Sequence, residues 1–241
     1  MNPYYYDLHI HSCLSPCGDE GMTPNNIVNM ALLKELDLIA LTDHNSCKNC
    51  PAILAAARGK PITVLPGMEL NTAEEVHVVC LFPDLERAMA FDTYVHDRLL
   101  PIPNEPEIFG RQLILNEQDE QTGEEPLLLI SAADISVDAV PRLMQQFGGI
   151  AFPAHINRSS SSMLSAFGSL PAREMGYHAV EVYQDMGQYT MPLDRRLLDG
   201  LLVLLNSDAH YLQNIAEPEH ALLLESCGFE GLRRWMMGQH V

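Results

Sequence analysis

Apolar runs of four or five residues recur along this chain, and each ends in a polar residue able to carry chemistry. Tyr4-Tyr5-Tyr6-Asp7-Leu8-His9-Ile10-His11 alternates and predicts a strand, followed by a Gly/Pro/Ser-rich loop from Ser12 to Met22. Thr23-Pro24 has the form of an N-cap with proline at the first helical position, which predicts a helix to about Glu35. Leu38 to Leu41 is wholly apolar and delivers Thr42-Asp43-His44. After a predicted helix from Cys50 to Arg58, Ile62 to Leu65 repeats the pattern and delivers Gly67-Met68-Glu69, and Val76 to Phe82 carries His77.

The rhythm breaks between Leu100 and Pro126, where Pro101, Pro103 and Pro106 precede Gln112 to Leu115. A β-hairpin-like excursion at 101–126 is expected there, with Leu127 to Ile130 as its return strand. Val137, Val140, Met144 and Phe147 mark a helical face, with Pro141 obscuring its start. Gly149 to Phe152 then delivers Pro153-Ala154-His155, Ala179 to Tyr183 follows His178, and Leu201 to Leu205 delivers Asn206 to His210. Helices are expected over Glu217 to Glu225 and Gly231 to Met237. Buried strands separated by helices predict an α/β protein, read as one catalytic domain over 1–241. If the sheet closes into a barrel, the C-terminal strand ends meet at one face, where such folds place their chemistry.

Composition narrows the partners. The 32 acidic and 14 basic residues leave a formal charge of −18, a surface that repels extended nucleic acid and anionic membranes while leaving a small phosphorylated substrate open. No apolar run approaches the ~20 residues of a membrane span, and Met1 to Tyr6 has no signal-peptide character, so a cytoplasmic protein is expected. The six cysteines, Cys13, Cys17, Cys47, Cys50, Cys80 and Cys227, are expected as free thiols or metal thiolates rather than disulfides.

Residues two apart on a strand share a face, so His9 and His11 can reach one metal. Asp208 and His210 repeat the spacing; Asp43, His44, Glu69, His77 and His155 hold comparable strand-end positions. A buried acid after an apolar strand is costly without a cation or hydrogen bonds, and mixed imidazoles and carboxylates suit Zn, Mn or Fe.

In order, Asp-Leu-His-Ile-His at Asp7 to His11, Thr-Asp-His at Thr42 to His44, Pro-Gly-Met-Glu at Pro66 to Glu69, Glu-Val-His at Glu75 to His77, Pro-Ala-His at Pro153 to His155 and Ser-Asp-Ala-His at Ser207 to His210 resemble the PHP (polymerase and histidinol phosphatase) family. The resemblance implies a distorted (β/α)7 barrel holding two or three divalent ions. It assigns His9, His11, Glu69 and Asp208 to the first ion, Glu69 with His77 and His155 to the second, and His44 and His210 to a third. Asp43 is implied as a supporting site residue. Where many relatives place a His or Asp after the first pair, this chain has Cys17, with Asp19 as a harder alternative.

The implied activity is hydrolysis of a small organic phosphate monoester, such as a nucleotide or sugar phosphate, by metal-bound hydroxide. Arg158 is the candidate for gripping phosphate, with Arg111 second, and His210 a candidate to assist the leaving alcohol. A phosphodiesterase or cyclic-phosphate hydrolase is the near alternative, and short oligonucleotides stay among the substrates. A noncatalytic metal- or redox-sensing interaction module is the distant one, prompted by Cys13, Cys17 and the Cys47-Lys48-Asn49-Cys50 segment. His178 is a weaker site candidate; His96, His220 and His240 are expected as helix or surface residues.

Overall fold

The computed structural model describes residues 1–184 and 190–238; His240 lies outside them. A six-stranded sheet forms the frame. In chain order its strands are β1 (Asn2–Ile10), β2 (Leu38–Leu41), β3 (Thr63–Asn71), β4 (His77–Leu81), β7 (Ile150–Pro153) and β10 (Ala221–Leu224), with β5 (Leu113–Leu115) and β6 (Gln121–Glu124) pairing apart as a hairpin. The spatial order is β10-β1-β2-β3-β4-β7. β1, β2 and β3 run parallel, whereas β4 is antiparallel to both neighbours and β10 antiparallel to β1.

The sheet curls because its two ends are tied together. Ile156 N–H past β7 donates to Glu181 O of β8 (Ala179–Glu181), which pairs parallel with β9 (Leu202–Leu204). The segment after β9 returns to β1 through the parallel Ile10–Ala209 bridge, with His11 N donating to Ala209 O at 2.9 Å. The result is an α/β fold with a curled, partly barrel-like mixed sheet and interspersed helices.

Burial on both faces explains why β2, β4, β7 and the start of β3 read as continuous apolar runs rather than alternations. Leu38, Ala40, Val79, Leu81, Ile150 and Phe152 pack into one cluster on the inside of the curl. Their neighbours Ile39, Leu41, Val78, Cys80 and Ala151 pack outward into the larger cluster beneath the helices. Those helices are α1 (Pro24–Leu33), capped by Thr23, α2 (Cys50–Ala56), α3 (Leu85–His96), α5 (Val140–Phe147) and the shorter α6 (Met163–Phe167); α4 (Pro106–Phe109) buries none of its residues, and the terminal α7 (Phe229–Met236) packs Phe229, Leu232 and Met236 into the inner cluster. A Cβ on Gly67 would meet Cys80 O at 2.8 Å and Leu81 Cδ2 at 2.7 Å, so this glycine lets β3 approach β4 closely.

Two expectations are corrected. The stretch Glu217 to Glu225 contains strand β10 instead of a helix: Ala221 and Leu223 are exposed while Leu222 and Leu224 are buried, a period of two that the apolar run Ala-Leu-Leu-Leu conceals. The excursion does form a hairpin, but its return strand is Gln121–Glu124, not Leu127 to Ile130. Asn116 Oδ1 accepts from both Gln118 N and Glu120 N, and this tight turn brings Gln121 opposite Leu115 before the later apolar run is reached. No helix among the described residues is long and apolar enough to cross a membrane.

Candidate metal centre

The strand ends deliver a convergent set of donors. His9 on β1 and His11 just past its end are fully buried, and their Nε2 atoms stand 3.2 Å apart. Glu69 on β3 brings Oε1 to 3.2 Å from His9 Nε2 and Oε2 to 3.3 Å from His11 Nε2. Asp208, beyond β9, places Oδ1 at 3.4 Å from His9 Nε2 and 3.3 Å from His11 Nε2. Donors 2.0–2.1 Å from a central tetrahedral ion are separated by edges of about 3.3 Å, so these four residues fit one ion.

Two further groups share members with the first. His44 Nδ1 lies 2.9 Å from Glu69 Oε2 and His77 Nδ1 2.9 Å from Glu69 Oε1, forming the second group; His155 Nε2 stands 3.1 Å from the same Oε1 but outside the three groups. His11, His44 and His210 converge as a third group, the His11 and His210 rings stacked with centroids 4.2 Å apart. His44 Nδ1 and Glu69 Oε2 are buried without a hydrogen-bond partner despite their proximity. Buried polar atoms left unpaired cost about 1–3 kcal/mol each, and a divalent cation is the ligand that satisfies this set.

Other side chains aim these donors. His9 Nδ1 is held by the Glu181 carboxylate at 3.0 Å and His11 Nδ1 by Ser15 Oγ at 2.9 Å, while His210 Nδ1–H donates to Asp208 O at 2.8 Å. In each ring the second nitrogen is thereby turned to the centre. Asp43 accepts from Ser12 N, Ser12 Oγ and Ser15 Oγ, each at 2.7 Å, fixing the turn that carries Ser15 to His11. Two donor residues, His155 (φ 27°) and Asp208 (φ 53°), occupy the left-handed backbone region, a strain held by the surrounding sheet.

The electrostatics favour a cation at the centre. Burial pulls the His9 imidazolium down, but Glu181, Glu69 and Asp208 outweigh it and leave the pKa well above 6.5. His11, opposed by burial but drawn up by the neighbouring Asp208 and Glu69 carboxylates, is raised to about 9; His44, opposed by burial but facing Cys17 and Glu69, is also raised to about 9. Burial works against ionisation of Glu69 and Asp208 too, yet the surrounding histidines, led by His77 for Glu69 and His9 for Asp208, hold both far below the carboxylate range. His77 falls to about 4, chiefly through burial, and His210 to about 3 through burial and His11.

A cleft of about 200 Å³ opens over the donors, and Arg158 lines it with Nη1 2.6 Å from Asp208 Oδ2. Cys17 lines the same cleft beside His44 but belongs to none of the three donor groups. Asp19 donates its backbone N–H to His210 O and caps Gly21 N with its side chain. Arg111 is paired with Glu124 on the hairpin, outside the cleft lining. Cys13, Cys47 and Cys50 are buried, and among the described residues no metal-donor group contains a cysteine. Sequence reasoning missed Glu181, which sits inside the run Ala179 to Tyr183; an acid inside an otherwise apolar strand was the available signal.

Three donor groups sharing Glu69, His11 and His44 at the strand ends of an α/β sheet define a metal-dependent hydrolase centre. A model of the PHP domain matches residues 7–225, and the chain belongs to this family of metal-dependent phosphoesterases. Over 85 residues it is 32% identical to the 5'-3' exoribonuclease Rnm of Salmonella typhimurium (strain LT2), a match covering 33% of this chain and 28% of that protein. Little more than a quarter of the curated relative is therefore matched. Among solved structures, a lesion-specific endonuclease from Pyrococcus furiosus superposes with a TM-score of 0.69 at 18% identity, covering 99% of this chain and 57% of that one. An amidohydrolase from Chromobacterium violaceum superposes with a TM-score of 0.60 at 20% identity, covering 98% and 96%. These two likenesses concern the fold alone.

Proposed function

We propose that this chain hydrolyses small organic phosphate monoesters, nucleotides or sugar phosphates among them, on two or three Zn, Mn or Fe ions. The observation that carries this reading is the His9-His11-Glu69-Asp208 quartet, whose donor atoms lie within 4.8 Å of one another, with Glu69 and Asp208 lining a cleft beside Arg158. Divalent ions bound there supply Lewis acidity toward phosphoryl oxygens and lower the pKa of water. His9, His11, Glu69 and Asp208 hold the first; His44, His77 and His155 around Glu69, and His11, His44 and His210, hold the others.

Arg158 is one-third exposed and tethered to Asp208, so its guanidinium can bind a phosphate oxygen without leaving the donors. Asp43 acts by holding the Ser12–Ser15 turn beneath His11. His210, kept neutral by burial, presents Nε2 as a lone pair. Cys17 stands where a softer ligand could reach the ion near His44.

A second reading, cleavage of a phosphodiester at the end of a short oligonucleotide, is favoured by one observation. A larger cavity of about 580 Å³ shares Cys17, His44, His77, Ser160 and Ser161 with the cleft and has room for more than a phosphate. The exoribonuclease relative acts on such ends by its name. Phosphate release is measured with protein loaded separately with each metal, across monoesters, linear diesters, cyclic phosphates and 5'-labelled oligonucleotides. Monoester turnover abolished by a chelator is expected; diester cleavage without monoester turnover would establish the second reading instead. Saturable metal-dependent partner binding with no turnover on any ester would make the chain a sensing module.

A further inference from the structure

We infer that Glu181 is a positioning residue that couples two parts of the metal centre, and that it works through being acceptor-only. This rests on the metal-binding part of the proposal above. The carboxylate is 1% exposed and stands behind the donors, not among them. Three donors from three separate segments end on it. His9 Nδ1 lies 3.1 Å from Oε1 and 3.0 Å from Oε2; His155 N donates to Oε1 at 2.9 Å; Asn206 Nδ2 donates to Oε2 at 2.6 Å. Asn206 is itself oriented, because its Oδ1 accepts from Leu8 N at 3.0 Å, so its amide cannot turn over without losing that bond.

Each contact has a consequence for the centre. Accepting from His9 Nδ1 fixes the tautomer in which Nε2 carries its lone pair toward Glu69, His11 and Asp208. Accepting from His155 N holds the backbone of a residue at φ 27°, whose ring reaches Glu69 Oε1. The Asn206 bond ties β1 and β8 to the segment that runs on to Asp208. One carboxylate thus sets His9 in the first donor group, His155 beside Glu69, and the approach of Asp208.

An amide of the same shape does not substitute for it. Glu181→Gln leaves one accepting oxygen and one NH2; with the oxygen at the Oε1 position, serving His155 N and His9 Nδ1, the introduced NH2 would face the NH2 of Asn206. Exchanging the two groups restores the pair with residue 206: the amide introduced by Glu181→Gln would donate to the carboxylate introduced by Asn206→Asp, which would still accept from Leu8 N, while His9 Nδ1 keeps its acceptor at the Oε1 position. The double variant Glu181→Gln/Asn206→Asp therefore keeps shape and charge and every hydrogen bond except the second contact of His9 Nδ1, to Oε2.

The test is metal affinity by chelator competition in wild type, Glu181→Gln, Asn206→Asp and the double variant, with thermal unfolding of each metal-free protein beside it. Glu181→Gln is expected to lose roughly 10–100-fold in affinity, the scale for removing a partner behind a ligand. The double variant should regain most of that loss, and excess metal should restore kcat in Glu181→Gln with KM little changed. Affinity within twofold of wild type in a folded Glu181→Gln protein overturns the inference, as does a double variant that binds no better than the single one. Should Glu181→Gln not fold, histidine ring 15N shifts in the metal-loaded wild type decide it: His9 protonated at Nδ1 supports the inference, and any other state overturns it. A wild-type chain that binds no divalent ion overturns the underlying metal assignment as well.

Discussion

Two sets of metal-capable side chains occupy this molecule, the histidine-carboxylate basin and the cysteines, and they differ in where their atoms point. In the basin, His9, His11, Glu69 and Asp208 come from three distant segments and bring four donor atoms within 4.8 Å of one another. Each imidazole of the β1 pair is held from behind by a hydrogen bond, to Glu181 or Ser15. Cys47 and Cys50 are close in sequence, yet both thiols donate to the same carbonyl, Gly67 O, at 3.1 and 3.5 Å. Burial, then the neighbouring Cys50 thiol, pushes Cys47 well up, and burial does the same to Cys80, so thiolates are disfavoured. Burial and the nearby Asp43 likewise push Cys13 up to about 12. Convergence with unpaired lone pairs makes a metal site; spacing along the chain does not.

The comparison breaks most visibly at Glu69, which belongs to two donor groups. Glu69→Gln should lower turnover by roughly a thousandfold or more, because it disables residues that act as a unit. Metal content measured on the same folded protein should fall with it; full activity in a protein stripped of metal would refute the assignment.

The pH dependence of stability should reverse with metal. His9, His11 and His44 are raised in the metal-free fold, so their stabilising contribution is complete below about pH 6.5 and is lost as pH climbs, through about 9 for His11 and His44. Glu69, Asp208 and Glu181 are lowered, and their contribution disappears only as pH falls below the ordinary carboxylate range. Melting of the metal-free protein should therefore drop from pH 6.5 to 9. With metal bound, neutral imidazoles are required and affinity rises over that window, so the melting temperature should hold or increase. Parallel pH profiles for the two forms would contradict the picture.

Arg158→Ala should cost about 2–3 kcal/mol in kcat/KM, roughly one to two orders of magnitude, by removing a charge-assisted contact to phosphate. Metal content should stay at the wild-type level. A variant that loses metal and activity together would make Arg158 a brace for Asp208 rather than a phosphate contact. The smallest effect belongs to the other set: Cys47→Ala should lower stability by about 1 kcal/mol, through lost core packing, and leave both metal content and turnover unchanged. Metal loss on that substitution would give the cysteines a role their geometry does not support.

Much of this was legible along the chain. Continuous apolar runs announced β2, β3, β4 and β7 because a sheet buried on both faces leaves no polar alternation to misplace, and nearly every donor stands immediately after an apolar run or beside it. β10 escaped because Ala221 to Leu224 alternates only in its exposure, which pairing with β1 creates. Glu181 escaped as a site residue because its partners, His9, His155 and Asn206, are separated from it by 172, 26 and 25 positions.

By itself, the sequence determined which residue types were available to bind cations and that they would stand at the ends of buried strands, since those choices depend on local pattern and side-chain chemistry. Only the tertiary structure decided which atoms share an ion, which groups hold them from behind, and that Cys13, Cys47 and Cys50 stand apart. Those outcomes turn on donor separations of 3.2–3.4 Å and on the direction of each lone pair, which the curl of the sheet sets.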